Sequence, residues 1–356
     1  MNNYGTAGRK RGQCLLIVEG RHEKDELFSL LFRCFGEINI SADDIWIYGT
    51  NIYMLYDDIV REYGAKWEED DIDLPFVISK KKGFSVLRYK EDFTNIILAF
   101  DYERHDTNFS EEKIMKMQQC FADAADMGKL YINYPMIESY QHICALPDKE
   151  FPERKIPVSL QPGREYKALV RRQSVIGKII EFPYRIDDLL EERFEIRDPQ
   201  LRKQCCDRIF AINTEVDIPG QIQDILKNAI KEKWLQTAKY QIEDKICKMG
   251  YLQQGKNFWQ FLREVFRQVI LHNICKANRI QNNMYQIEEG NYKECFEQID
   301  LVKILQIQND GSRNEQTGFI WVLCTCVLFV AEYNFSLVWN FPFPEPEKYA
   351  MITCKL

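Results

Sequence analysis

The sequence lacks an apolar run long enough to cross a bilayer. Its longest such stretch, residues 318–331, reads G-F-I-W-V-L-C-T-C-V-L-F-V-A and stops at Glu332. A spanning helix needs about 20 apolar residues, so we predict a buried helix there and no membrane association. The first twelve residues are polar and basic with no apolar segment behind them, unlike a secretory signal. We therefore expect a cytoplasmic protein.

Zinc-binding cysteine motifs and a strong positive charge are also missing. Twelve cysteines are present, but none has C-x-x-C spacing, and the only close pairs are Cys205-Cys206 and Cys324-Thr325-Cys326. This spacing predicts reduced, mostly buried thiols rather than a zinc site. The formal net charge is −7. That value excludes a protein that coats nucleic acid with a uniformly basic surface, but leaves a local basic groove open.

What the sequence does contain, in residues 1–150, is an alternation of apolar runs and helical patterns. The apolar runs lie at 15–18, 45–49, 95–101 and 130–135. They are continuously apolar rather than alternating, which is typical of parallel strands covered on both faces by helices. We predict an α/β domain with a parallel sheet over residues 1–150.

Residues 151–356 have a different pattern. A proline-rich connector, 152–163, leads into long amphipathic segments near 199–212, 219–249, 257–281, 292–307 and 316–333. A chain of 356 residues is long enough for two domains. We predict a mainly α-helical second domain over 151–356, which would bind a partner, dimerise or shape a substrate groove. The three prolines within 340–347 exclude regular structure there.

Acidic residues stand where two of the predicted strands end. Glu19 closes the first strand, and Asp101 and Glu103 close the third. Residues i and i+2 of an extended segment face the same side, so Asp101 and Glu103 can point to one place. If the first and third strands are neighbours, three carboxylates converge, and their mutual repulsion calls either for a cation or for raised pKa values. Mg²⁺ or Mn²⁺ is the cation suited to such ligands. The alternative is that each acid caps the helix after its strand.

These motifs together resemble the TOPRIM domain of topoisomerases, bacterial primases and OLD-type nucleases. The glutamate motif of that domain resembles L-L-I-V-E-G-R-H-E, in which Glu19 and Glu23 are the matching acids. Its second strand resembles W-I-Y-G-T-N, with Gly49 as the matching glycine. Its aspartate motif resembles I-L-A-F-D-Y-E, with Asp101 and Glu103 as the matching acids. The resemblance covers about the first 145 residues. Glu23 and Glu103 stand where the family usually has aspartate, which preserves charge but lengthens the side chain.

The resemblance implies a Mg²⁺-dependent nuclease acting on DNA or RNA, including tRNA. Metal ligands would be Glu19, Asp101 and Glu103, with Glu19 as an alternative general base. The small TOPRIM proteins of phage-defence systems imply a toxic effector that works with an ABC/SMC-type ATPase. No G-x-x-x-x-G-K-[ST] motif is present, so that ATPase would be a separate protein. A homodimer is possible. The alternative is a non-catalytic scaffold or sensor that binds an ATPase or nucleic acid.

Three single residues and one run of lysines are less specific candidates. Glu23 is the trailing acid of the first motif, and Glu138 follows the fourth strand, where it is either a ligand or a helix cap. His105 lies two residues after Glu103 and can contact phosphate, donate a proton or simply lie on the surface. The lysines at 80–82 are either phosphate contacts or a solvated surface.

Overall fold

The chain forms a mixed α/β structure around a mostly parallel central sheet. The computed structural model describes residues 14–40, 42–160, 162–214, 216–284 and 291–339. The strands are β1 Cys14–Val18, β2 Ile45–Ile47, β3 Asn95–Asp101, β4 Ala122–Asp123, β5 Gly128–Tyr134, β6 Lys155–Pro157, β7 Phe319–Trp321 and β8 Leu323–Cys324.

The parallel part of the sheet has the order β2-β1-β3-β5. Val18 pairs with Ile47 on one side and with Ala99 on the other, and Asp101 pairs with Asn133 on β5. β1 and β3 are therefore adjacent, which brings the two acidic motifs to the same edge. Two short antiparallel strands, β4 and β8, extend the sheet beside β5.

The helices follow the strands and then dominate the second half of the chain. They are α1 Ser29–Cys34, α2 Ile52–Tyr63, α3 Leu74–Lys81, α4 Glu111–Cys120, α5 Lys167–Gln173, α6 Val175–Ile180, α7 Phe182–Asp188, α8 Pro199–Phe210, α9 Ile218–Leu226, α10 Glu232–Met249, α11 Phe258–Asn282, α12 Tyr292–Glu297, α13 Leu301–Ser312, α14 Phe329–Tyr333 and α15 Ser336–Trp339. A π-helical turn, Glu23–Phe28, precedes α1 directly.

The continuously apolar runs form the central strands because both of their faces are covered. All five residues of β1 are buried, as are six of the seven residues of β3. Such strands gain free energy from burial on both faces, which accounts for the lack of polar alternation. The prediction of parallel strands at these four runs is confirmed.

Three of the helix predictions in the second half are wrong. The apolar stretch 318–331 is buried, but it forms β7, β8 and the start of the short helix α14 instead of one helix. β7 pairs with β6 and β8 with β5, so strand pairing satisfies this backbone. The pattern at 219–249 is divided into α9 and α10, and that at 292–307 into α12 and α13. The prolines within 340–347 lie outside the described residues.

The core is continuous through both halves of the chain. One cluster of buried apolar side chains extends from Cys14 to Val338. The longest helix, α11, packs against α1 and β8, and α13 packs against α4. Within the described ranges, no helix is both long and apolar enough to cross a membrane. The described cysteines are all free thiols, and most are buried.

Candidate functional site: an acidic cluster at the sheet edge

Glu19 lies at the junction of three strands. Its backbone N–H donates to the Ala99 carbonyl over 3.2 Å, and its carbonyl accepts from the Gly49 N–H over 2.8 Å. Its side-chain Oε2 accepts from the Asp101 backbone N–H over 3.2 Å. The carboxylate is thus oriented by β3 and does not cap the helix that follows β1, so the capping alternative for this residue is wrong.

Asp101 is the most deeply buried acid of the group, with a relative exposure of 3%. The Asn133 side-chain amide donates to its Oδ1 over 3.3 Å, and a hydrogen bond from the Ile137 backbone also reaches it. These contacts fix the aspartate between the ends of β3 and β5. They leave its charge without an ionic partner among the described residues.

Glu103 does not occupy the extended position predicted for it. β3 ends at Asp101, and Glu103 has a φ of +42°, in the left-handed region that non-glycine residues rarely adopt. The i, i+2 argument for a shared side is therefore wrong. Glu103 joins the cluster through a turn instead, in a conformation of the kind that is often found at functional sites.

Four carboxyl groups at this edge have raised pKa values. Burial, followed by the charge of Glu103, raises the pKa of Glu19 to about 8. Burial is also the largest cause of the raised pKa values of Glu23, Asp101 and Glu103, and neighbouring acids add to it in each case. Among the described residues, none of the four forms an ion pair with a lysine, arginine or histidine. We call these four residues the acidic cluster.

Glu23 lies at the start of the π-helical turn and reaches back to the preceding loop. Its Oε2 accepts from the Gly20 backbone N–H over 2.7 Å, and the residue is 4% exposed. A Cβ at Gly20 would lie 3.2 Å from the same oxygen. The glycine after Glu19 thus allows the Glu23 carboxylate to approach the backbone closely.

Glu138 has the opposite electrostatic surroundings. Its Oε1 lies 2.8 Å from Nε2 of His22 and 2.8 Å from Nζ of Lys167. Burial alone would raise its pKa, but these two hydrogen-bonded cations lower it below the ordinary value. Glu138 is therefore ionised and already paired. This arrangement favours a positioning role over direct metal binding.

The same contacts set the charge of His22. Hydrogen bonds from its ring to Glu138 and Glu26 raise the pKa of His22 to about 9. The imidazole is consequently protonated at neutral pH and links the loop after β1 to the loop after β5. As a cation with both nitrogens occupied by carboxylates, it is unsuited to act as a general base.

His105 is exposed, and its Nε2 lies 2.5 Å from the Val158 carbonyl oxygen. A carbonyl can only accept, so this nitrogen donates to it. The contact ties the loop after β3 to the start of the second half of the chain. It places His105 in the loop of the cluster, with only Nδ1 remaining for a substrate.

Two polar residues near the cluster were not identified from the sequence. Asn51 caps α2 by accepting from the Met54 N–H, and its amide donates to Asp106 over 2.8 Å. Asn51 also hydrogen-bonds Glu103, and the charge of Asp106 raises the pKa of Glu103. The signal for Asp106 was present in D-Y-E-R-H-D, where it is a third acid in six residues.

The lysines at 80–82 are not equivalent. Lys80 pairs with Glu62 over 2.7 Å, and Lys81 pairs with the buried Asp58 over 2.6 Å. The Lys82 ammonium lies beside Gly49, 3.9 Å from where a Cβ of that residue would be. Lys82 is thus placed beside the loop after β2, and the Lys81 ammonium donates to the Tyr48 hydroxyl of the same loop over 2.7 Å.

The donor types of the cluster fit a hard divalent cation. Buried carboxylates that raise one another's pKa and have no basic partner are the groups that a cation would stabilise. In the part of the chain that the structure describes, no three His, Cys, Asp or Glu residues form a ready-made metal-binding group. Mg²⁺ usually binds through one or two carboxylates together with water and substrate phosphate, so a complete protein cage is not required.

Comparisons of this chain with protein-family models, with curated proteins and with solved structures found no match.

Proposed function

We propose that the acidic cluster is the centre of a Mg²⁺- or Mn²⁺-dependent nuclease that hydrolyses phosphodiester bonds in DNA or RNA. The observation that carries the proposal is a set of carboxylates without cationic partners, of which Glu23 and Asp101 are buried and Glu19 and Glu103 half-buried. Bringing such carboxylates together lowers the stability of the folded protein, and clusters of this kind are typical of functional sites. A bound cation would offset their repulsion. The TOPRIM resemblance supports the same chemistry.

The residues divide into two roles. Glu19, Asp101 and Glu103 would hold the metal, which when bound supplies charge stabilisation at the phosphate and a more acidic water. Asn133 holds the Asp101 carboxylate in place, and Asn51 holds Asp106. Glu138, with His22 and Lys167, fixes the neighbouring wall of the site.

In cells, the proposed nuclease would be the toxic effector of an anti-phage defence system. The resemblance to small TOPRIM proteins of such systems supports this role, together with a separate ABC/SMC-type ATPase as partner. Expression of the chain alone and with the neighbouring reading frames, compared by cell growth, tests whether a partner holds it silent.

The direct test is metal-dependent cleavage by the purified chain. Plasmid DNA, single-stranded DNA and tRNA would each be incubated with Mg²⁺, with Mn²⁺ and with a chelator. We expect cleavage that requires the metal and that falls at least about a hundredfold in Asp101→Asn and Glu19→Gln, since even residues that only support metal ligands cost 10–100-fold. Calorimetric titration of Mg²⁺ into the same variants gives a readout that does not depend on the substrate.

A matched control is Glu112→Gln, which removes an exposed acid of α4. It should cleave as the unchanged chain does. If the Glu19 and Asp101 variants also cleave at the unchanged rate, the acidic cluster is not the active site.

One observation favours the alternative, a non-catalytic TOPRIM scaffold or sensor. The described residues contain no preformed three-ligand metal site. Under the alternative, the acidic cluster does not bind a metal ion. Under this alternative the chain binds nucleic acid or an ATPase, but Mg²⁺ neither binds the cluster nor supports cleavage of any of the three substrates.

A further inference from the structure

A cleft lies directly beside the acidic cluster, on the β5 side of the sheet edge. It has a volume of about 280 Å³, and its walls come from the π-helical turn after β1, the turn after β5 and the helices α5, α6 and α7. His22 and Glu138 belong to its lining. The charge of Glu138 raises the pKa of Asp101, so the two sites are close enough to interact.

The lining contains three carboxylates, and each is already paired with a cation. Glu138 pairs with His22 and Lys167, and Glu26 pairs with His22 over 2.9 Å. Glu181 pairs with Arg185 over 2.8 Å. The acids of the cleft are thereby neutralised within the protein.

Arg171 remains without such a partner. It lines the cleft, is exposed, and forms no ion pair with any described residue. An arginine that is not neutralised, next to carboxylates that are, provides an anion-binding group with two parallel N–H donors suited to phosphate.

An exposed aromatic ring stands on the wall of the same cleft. Tyr184, at the start of α7, is 53% exposed and contacts no other aromatic ring of the described residues. Most other tyrosines of this structure are buried against the core, so a tyrosine presented to a cleft is a free stacking surface. Nucleobases stack on such rings irrespective of sequence.

We propose that this cleft binds a nucleotide of unpaired, single-stranded nucleic acid, with its phosphate on Arg171 and its base against Tyr184. The inference rests on the proposed function, because the cleft would hold the strand next to the phosphate at the acidic cluster. It adds the substrate class: a base can reach Tyr184 only if it is not held in a duplex. Small apolar walls from Val170 and Ile180 complete the cleft.

The experiment measures binding of a fluorescein-labelled single strand by anisotropy, with the full chain and with Ca²⁺ in place of Mg²⁺. A length of about 12 nucleotides lies within the site sizes of single-strand-binding proteins. The measurement is repeated at several salt concentrations, for the DNA and RNA strands, and for a blunt duplex of the same sequence.

Arg171→Ala should weaken binding of the single strand about five- to tenfold and lower the salt slope by about 0.7, the value for one phosphate contact on a single strand. Arg172→Ala is the matched control, since its side chain is the next one on α5 and does not line the cleft. It should change neither quantity. Tyr184→Ala should weaken binding at least about fivefold, as expected for loss of one stacked base, and Tyr184→Trp should restore it.

The outcomes separate the cleft from the nuclease. If Arg171→Ala and Arg172→Ala bind alike, or the duplex binds as well as the single strand, the cleft proposal is overturned, even where cleavage is lost in Asp101→Asn. If the single strand binds through the cleft but no metal supports cleavage, the nuclease proposal fails and the cleft remains a nucleic-acid site. Failure of the unchanged chain to bind any strand overturns the cleft proposal. Because these positions are exposed, the variants should keep the thermal unfolding of the unchanged chain, which shows that they fold.

Discussion

Glu19 and Glu138 lie at the same edge of the sheet, yet their surroundings move their pKa values in opposite directions. Burial and the neighbouring acid Glu103 raise the pKa of Glu19 to about 8. Contacts with His22 and Lys167 lower that of Glu138. Glu19 would therefore be stabilised by a bound cation, whereas Glu138 already has two cationic partners.

Removing the Glu19 charge should therefore stabilise the metal-free protein. A raised pKa means that, between about pH 4.5 and about pH 8, the folded state keeps a proton that the unfolded state has released, so stability falls as the pH rises through this range. We expect Glu19→Gln to raise the Tm by about 2–4 °C at pH 9 and by little at pH 5. The difference in Tm between the two proteins is measured by thermal unfolding in the presence of a chelator, monitored by circular dichroism.

Glu138→Gln is the contrasting variant for that experiment. It leaves His22 and Lys167 without their shared carboxylate, so its Tm should fall at neutral pH and approach that of the unchanged protein as Glu138 becomes protonated in acid. A Tm that falls in both variants at pH 9 would contradict the assignment of repulsion to the acidic cluster.

At the scale of elements, the site is built from the turns that follow parallel strands. β1, β2, β3 and β5 end at one edge, and the turns after them carry Glu19, Asn51, the loop 102–106 and Glu138. Helix starts contribute directly: the residue that caps α2 also binds the acid Asp106. Local helix stability and site geometry are thus coupled through one side chain.

Asn51→Ala should consequently have two effects. Loss of the N-cap costs about 1 kcal/mol of unfolding free energy, and loss of the amide leaves Asp106 and Glu103 less firmly held. Chemical denaturation measures the first effect, and Mg²⁺ titration measures the second. Asn51→Ser, which retains a capping oxygen but not the amide, separates them. It should recover most of the stability without recovering metal affinity, and full recovery of both would show that the amide contact is unimportant.

At the scale of the whole molecule, the two halves of the chain share a core. β8, near the carboxyl terminus of the described chain, pairs with β5 of the central sheet, and the Thr325 hydroxyl donates to the Ile132 carbonyl over 2.7 Å. The Asp148 backbone N–H donates to Nε2 of His272, on α11, over 2.9 Å. These contacts cross the boundary at residue 150 that the sequence pattern suggests.

Residues 1–150 expressed alone should therefore fail to fold cooperatively. The fragment would expose the side of β5 that pairs with β8 and the face of α1 that packs on α11. We expect a broad, non-cooperative thermal transition and binding of a hydrophobic dye, in contrast to the full chain. Co-expression with 151–356 is the control and should restore a soluble complex. A sharp, reversible transition of the isolated fragment would instead establish it as an independent domain.

The sequence by itself determined the parallel strands and the acids at their ends. The apolar runs at β1 and β3 are continuous because both faces are buried, and a carboxyl-terminal acid on such a strand must lie at the sheet edge. Those features depend on short stretches of chain, so the local pattern was sufficient to predict that Glu19 and Asp101 lie at the ends of their strands.

Only the tertiary structure decided which charges remain unpaired and how the second half contributes. The ion pairs of Glu138 join residues from three separate segments, and the strands within 318–331 exist because β5 and β6 offer them pairing partners. A short apolar run has the same sequence pattern whether it forms a strand or a buried helix, and its pairing partner decides which of the two it forms. Long-range contacts, which no local pattern specifies, set the electrostatics of this edge and the wall of the cleft beside it.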